Sequence, residues 1–141
     1  MKKNAYSIFL LCAALLALFS SPAFSRQKQI GAFEGSTDIG DVLKKGSATH
    51  KPGTDTYEVA GSGYNVWFDK DEFHYLWKKM PGDFILYTRA RLVGEGVDPH
   101  RKVGWMVRSD LSGNSSHVNA VVHGDGLTSL QYREAKGVAF A

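Results

Sequence analysis

The sequence predicts an all-β fold of antiparallel strands, arranged as a β-sandwich. Short runs of Val, Ile, Phe, Tyr, Trp and Thr recur at strand-like spacing. Clusters of Gly, Asp, Asn and Pro separate these runs and supply the turns. No stretch keeps a helical hydrophobic period for three turns, so we expect no long helix in the domain.

Residues 1–25 have the pattern of an export signal. Lys2 and Lys3 precede an apolar run at 8–19, and 23–25 offers small residues for cleavage. That run is too short to span a bilayer with margin, and no later segment approaches the ~20 apolar residues of a transmembrane helix. We therefore expect an exported protein, periplasmic or extracellular, with no membrane attachment after cleavage.

Removal of the signal narrows the function classes. It takes Lys2 and Lys3 from the 17 basic residues and leaves 15 against 14 acidic ones, so charge gives no reason to expect a nucleic-acid partner. It also removes the single cysteine, Cys12, which excludes disulfides and thiolate chemistry in the exported protein. Residues 26–141 are of a size for one domain.

Eight strands are predicted along this domain, and each is bounded by turn residues. The predicted strands are 47–50, 56–61, 65–68, 73–78, 84–93, 103–109, 117–123 and 128–134. The segment 27–45 is rich in Gly, Ser and Asp and is the weakest part of the pattern.

The turn at 124–126 predicts the register of the last hairpin. Opposite residues must lie on the same face of a sheet, and a three-residue loop with glycine in the left-handed position keeps polar and apolar residues apart. The predicted opposite pairs are His117 and Arg133, Val118 and Tyr132, Asn119 and Gln131, Ala120 and Leu130, and Val122 and Thr128.

One face of the sheet is therefore predicted to be a row of polar side chains. If 84–93 and 103–109 are neighbouring strands of one meander, Arg89 and Arg108 join that row. Adjacent arginines repel each other, so an acidic or hydroxylated ligand, or carboxylates from elsewhere in the chain, would stabilise them. The alternative interpretation is an ordinary solvated face with no ligand.

The leading functional hypothesis is a non-catalytic binding module for a carbohydrate, or a similar hydroxylated or acidic ligand. The predicted ligand-binding residues are Arg89, Arg108, Asn119, His123, Gln131 and Arg133. No strand carries the alternating carboxylates of a retaining glycosidase. The alternative is a sugar-acting, hydrolase-like enzyme with His123 and Asp125 as its acid–base pair.

Metal binding has little support in the sequence. His123 and Asp125 lack a third ligand, and a glycine-framed turn explains them as well. Asp69 to Glu72 could hold a structural calcium ion, but the spacing lacks the glycine and terminal Glu of an EF-hand loop. We expect no cofactor and no catalytic metal.

Four segments carry a resemblance to a known family: GAFEGSTDIGDV at 31–42, WKKMPGDF at 77–84, GWMVR at 104–108 and VHGDGLTSLQYR at 122–133. The chain resembles the concanavalin A-like, lectin- and glucanase-type β-sandwich domain at the N-terminus of exported bacterial proteins with a TolB-like, biopolymer-transporter-type β-propeller. The resemblance implies a jelly-roll sandwich whose concave sheet holds glycans. Because such sandwiches usually need more than about 116 residues, the resemblance also implies a partial domain. A further alternative for the function is a structural adaptor for a β-propeller.

Overall fold

The computed structural model describes residues 28–96 and 98–139. Their regular structure is strand, apart from one 3-10 turn at Pro52–Thr54. The all-β prediction is therefore confirmed. No helix among the described residues is long and apolar enough to cross a membrane. The predicted signal at 1–25 lies outside the described residues.

Seven strands form three small antiparallel sheets. The strands are β1 (Gly35–Ile39), β2 (Ser47–Lys51), β3 (Thr56–Ala60), β4 (Phe73–Trp77), β5 (Lys102–Arg108), β6 (His117–His123) and β7 (Thr128–Arg133). β1 pairs with β4, β2 pairs with β3, and β5, β6 and β7 form a meander in that order.

Six of the predicted strands are confirmed, as β2 to β7. The prediction at 65–68 is wrong, because this segment forms only an isolated bridge between Val66 and Asp71. The prediction at 84–93 is also wrong, because this segment is irregular. Conversely, β1 lies in the segment with the weakest strand pattern and gains its stability from pairing with β4.

A buried histidine links the two smaller sheets. The His74 ring on β4 lies 2.7 Å, Nδ1 to Oδ1, from Asp38 on β1, and the Gly46 amide just before β2 donates to the same carboxylate oxygen at 3.0 Å. The hydrogen bond from His74 holds the pKa of Asp38 below its usual value. One carboxylate therefore ties β1, β4 and the start of β2 together.

The last hairpin has the predicted register, with His117 opposite Arg133 and Asn119 opposite Gln131. The loop has three residues, because the His123 amide donates to the Leu127 carbonyl across it at 2.8 Å. Gly126 lies in the left-handed region at φ 92°. The turn chemistry alone was enough to predict these pairs.

The buried part of the molecule is mostly polar. Among the described residues, Ile39 and Val121 are the only buried apolar side chains of the core. The buried polar residues are Asp71, Ser115, His117, Asn119, His123 and Arg133. The interior therefore depends on hydrogen bonds and ion pairs as much as on apolar packing.

Candidate functional site

The β5–β6–β7 sheet has a polar face and an apolar face. The polar face carries Lys102, Gly104, Met106 and Arg108 of β5, His117, Asn119, Val121 and His123 of β6, and Ser129, Gln131 and Arg133 of β7. The apolar face carries Val103, Trp105, Val107, Val118, Ala120, Val122, Thr128, Leu130 and Tyr132. Strict alternation along each strand separates the two sets.

The polar face is covered and the apolar face is open. Asn119 on the polar face is 1 % exposed, whereas Leu130 on the apolar face is 72 % exposed. The alternative interpretation of an ordinary solvated face is therefore wrong. The covering chain includes Asn65, whose side-chain oxygen accepts a hydrogen bond from Lys102 at 2.9 Å, and Tyr75, whose hydroxyl donates to the Met106 carbonyl at 2.8 Å.

Asp71 holds the polar face against the covering chain. Its side chain is fully buried and accepts two hydrogen bonds from Arg133, Nη2 to Oδ1 at 2.7 Å and Nη1 to Oδ2 at 2.9 Å. Arg108 reaches Oδ2 at 3.3 Å, and His117 Nδ1 lies 3.5 Å from the same oxygen. We call Asp71, Arg108, His117 and Arg133 the Asp71 cluster. It provides the carboxylate that the adjacent arginines were predicted to need.

Every donor of Arg133 is used inside the protein. Besides Asp71, its guanidinium donates to three main-chain carbonyls: Phe68 at 2.8 Å, Ser115 at 3.0 Å and Val138 at 3.0 Å. A bidentate carboxylate with three further acceptors fixes the whole fork of an arginine. Arg133 therefore joins the covering segment to β7 and the chain beyond it.

Arg108 makes a second connection. Its Nε donates to the Asp110 carbonyl at 2.7 Å and Nη2 donates to the Ser112 carbonyl. The guanidinium carbon lies 5.3 Å from the centre of the Phe73 ring, within the range of a cation–π contact. Burial lowers the pKa of Arg108, and the nearby Asp71 carboxylate opposes that shift.

A row of buried polar atoms on the same face has no partner among the described residues. These atoms are Asn119 Nδ2 and Oδ1, both ring nitrogens of His123, Ser129 Oγ and Gln131 Oε1. Asn119 lies directly opposite Gln131, and Ser129 lies opposite Val121 on the next rung. Buried polar groups normally have a partner, so these atoms are placed to bind water or a ligand.

His123 closes the far end of this row. Its ring packs edge-on against the His100 ring at 5.8 Å, and desolvation lowers its pKa, so the imidazole is neutral at pH 7. Asp125 is exposed, and its Oδ1 accepts the Leu127 amide at 3.0 Å, as a turn carboxylate does. The acid–base role of His123 and Asp125 stays a prediction.

Arg89 lies apart from the other predicted ligand-binding residues. It is exposed on the irregular segment 84–93, outside the sheet that carries Arg108, Asn119, His123, Gln131 and Arg133. The structure thus brings five of the six residues onto one face. Ligand binding by any of the six stays a prediction.

A cavity lies at the strand ends beside the Asp71 cluster, whose own side chains are buried. A shallow cavity of about 360 Å³ opens there, lined in part by Arg108, His117, Arg133, Ser109 and Ser116. Glu134 also lines this cavity, so two arginines and the two carboxylates of Asp71 and Glu134 lie at this end. The sequence pattern identified these arginines but gave no sign that Asp71 would be their partner.

The acidic run near Asp71 has internal partners. Asp71 binds the arginines, while Glu72 accepts the Tyr64 amide at 3.1 Å and lies 3.4 Å from the Lys70 ammonium group. Within 28–96 and 98–139, no group of three or more His, Cys, Asp or Glu side chains is arranged to hold a metal ion.

No family model, curated protein or solved structure matches this chain. The resemblance to concanavalin A-like domains of β-propeller proteins therefore stays a prediction. The jelly-roll arrangement does too, because the described strands form three separate small sheets.

Proposed function

We propose that the protein is an exported, non-catalytic module that binds a carbohydrate, or a similar hydroxylated or acidic ligand, on the polar face of its three-stranded sheet. The observation that carries this proposal is the row of buried, unpartnered polar atoms on Asn119, His123, Ser129 and Gln131. Export rests on the signal-like sequence of residues 1–25.

The chemistry of the row suits hydroxyl groups. The Asn119 amide offers two N–H donors and one carbonyl acceptor, and Gln131 Oε1 adds another acceptor. Neutral His123 has one donor and one acceptor nitrogen. A sugar hydroxyl donates one hydrogen bond and accepts others, so alternating donors and acceptors along a rigid strand pair match a polyol better than they match an apolar ligand.

The Asp71 cluster gives the proposed site its support. Arg108 and Arg133 use their donors on protein atoms and fix β5 and β7, so their contribution to a ligand is electrostatic. Only Asp71 faces the two buried guanidinium groups directly. The Glu134 carboxylate lines the adjacent cavity, so the charge there does not distinguish an acidic sugar from a neutral one.

A glycan panel with neutral and uronate-containing members tests this proposal. We expect binding of at least one glycan by the full chain, and at least a tenfold loss of affinity in Asn119→Ala, which is the loss of about 1.4 kcal/mol of hydrogen bonding. Leu130→Ala, on the opposite face of the same hairpin, is the matched control and should bind normally.

Two results would reject the proposal. One is the absence of binding to every glycan on the panel by the folded wild type. The other is equal affinity of Asn119→Ala and Leu130→Ala, which would mean that the buried polar row holds only water.

A second candidate function is an adaptor that packs its apolar face on another protein domain. The exposure of Val107, Val118, Val122, Leu130 and Tyr132 favours it, because soluble proteins rarely leave a contiguous apolar sheet face open. A β-propeller is the partner that the family resemblance implies. A hydrophobic dye such as ANS should bind the wild type and bind less to Leu130→Lys; equal dye binding would reject this candidate.

A further inference from the structure

The segment 84–93 has the sequence of a strand but no strand to pair with. Its residues, FILYTRARLV, are rich in β-branched and aromatic side chains. Within the described residues, none of its backbone amides or carbonyls takes part in a backbone hydrogen bond. Ten residues of strand-forming chain therefore lie on the surface with their backbone groups free to pair.

The exposure of the first part of this segment, 84–87, alternates as it does along a strand. Ile85 is 96 % and Tyr87 86 % exposed, whereas Phe84 is 38 % exposed and Leu86 and Leu92 are half-buried. From Phe84 to Tyr87 the even-numbered side chains thus turn towards the protein and the odd-numbered ones towards solvent, whereas Thr88 and Ala90 are exposed like their neighbours. Residues 84–87 therefore have the alternation of a strand.

We propose that 84–93 is a dimerisation strand, which pairs antiparallel with the same segment of a second copy of this chain. Pairing through a twofold axis is isologous, so the strand must be complementary to itself. Addition of a strand at a free backbone edge provides main-chain hydrogen bonds, while the side chains determine the register.

Charge disfavours three of the possible registers. An axis through Arg89 places that arginine opposite its own copy, and an axis through Ala90 places Arg89 opposite Arg91. Like charges directly opposite destabilise a strand pair. An axis through Thr88 still leaves Arg89 diagonal to its own copy, so all three of these registers bring arginines together.

An axis through Tyr87 avoids these repulsions. It places Arg91 opposite Asp83 twice, once on each side of the axis, and Arg89 then lies opposite Ile85 and diagonal to Asp83. The other face pairs Phe84 with Ala90 and Leu86 with Thr88. Each arginine has a carboxylate of the other copy opposite or diagonal to it, and this complementarity is why we propose a second copy as the occupant.

A charge swap tests the strand pairing and its register together. By sedimentation equilibrium, the wild type should dimerise, and Asp83→Arg or Arg91→Asp should each weaken the dimer about tenfold, equivalent to ~1.4 kcal/mol. The double variant Asp83→Arg/Arg91→Asp should restore the wild-type dissociation constant. Asp69→Arg, the same charge change at another exposed aspartate, is the control. Among the described residues, none of the changed side chains has a hydrogen-bond or ion-pair partner. Circular dichroism should therefore show an unchanged fold.

Hydrogen exchange supplies a second measurement. Every second amide within 83–91 should exchange fast in dilute, monomeric protein and slow down in the dimer, because alternate amides of a strand point to the same edge. A wild type that stays monomeric at millimolar concentration overturns the proposal. A dimer that is insensitive to Asp83→Arg, or one that the double variant fails to restore, overturns it equally and assigns the interface to another surface.

Discussion

The two faces of the β5–β6–β7 sheet reverse the usual arrangement of an antiparallel sheet, in which the apolar face is covered and the polar face is wet. Here the face with Asn119 and Arg133 is covered, and the face with Leu130 and Val118 is open. Both faces belong to the same three strands, so strand pairing cannot be the cause. The difference teaches that a buried ion pair can determine which side of a sheet the rest of a small chain covers.

Asp71 is the residue whose loss should break this arrangement. In Asp71→Asn the two guanidinium groups of Arg108 and Arg133 remain buried without a counter-charge, and removal of one partner from a buried ion pair costs about 3–5 kcal/mol. Urea denaturation followed by tryptophan fluorescence would measure the change. Asp69→Asn, an exposed aspartate two positions earlier, should be close to wild type. Equal midpoints for the two variants would mean that the cluster does not hold the polar face.

Close backbone packing at Gly104 should make the polar face sensitive to a single methyl group. A Cβ at Gly104 would lie 2.1 Å from the Ala120 carbonyl oxygen, so β5 and β6 would have to separate. Overpacking of this kind costs about 1–3 kcal/mol. Gly53→Ala is the matched control, because no atom lies within 4 Å of the added Cβ there. If thermal unfolding shows the same midpoint for both variants, β5 and β6 are less closely packed than the structure has them.

Acid should lower the stability that the polar face gives to the fold. Desolvation is the first cause that lowers the pKa of both His117 and His123 below 6.5. Because the unfolded chain then binds protons at a higher pH than the folded chain, stability should fall as the pH drops below about 6.5, until the folded histidines protonate too. His123→Gln should reduce this slope between pH 7.5 and 5.5, while His50→Gln on β2 serves as the control. A slope that neither variant changes would locate the acid sensitivity elsewhere.

Local rules predicted the pairing of the last hairpin but not its burial. Asn119 lies opposite Gln131 because the three-residue turn at 124–126 requires it, and only about fifteen residues are involved. Which face is covered depends on Asp71, which lies 62 positions from Arg133 in the sequence. A periodic pattern in the sequence cannot indicate a contact between positions so far apart. The sequence showed only that the arginines needed a carboxylate.

The segment 84–93 failed as a strand prediction for a related reason. Its pattern is that of β-structure, and its exposure alternates from Phe84 to Tyr87, yet a strand also requires a partner at its edge. The sequence pattern indicates only the local conformational preference of a segment. β1 is the opposite case, since GSTDI has a weak pattern but obtains a partner in β4.

The smallest expected effect comes from the apolar face, and it is the most direct test of the comparison between the two faces. Leu130→Thr changes a side chain that is 72 % exposed, and surface substitutions usually stay within about 0.5 kcal/mol. Val121→Thr places a hydroxyl on the buried face instead, at a cost of about 1–3 kcal/mol. Urea midpoints of the two variants should therefore differ clearly. If Leu130→Thr costs as much as Val121→Thr, the apolar face is covered in solution by a second copy or by another domain. The free energy of that contact is then part of the stability that the assay measures.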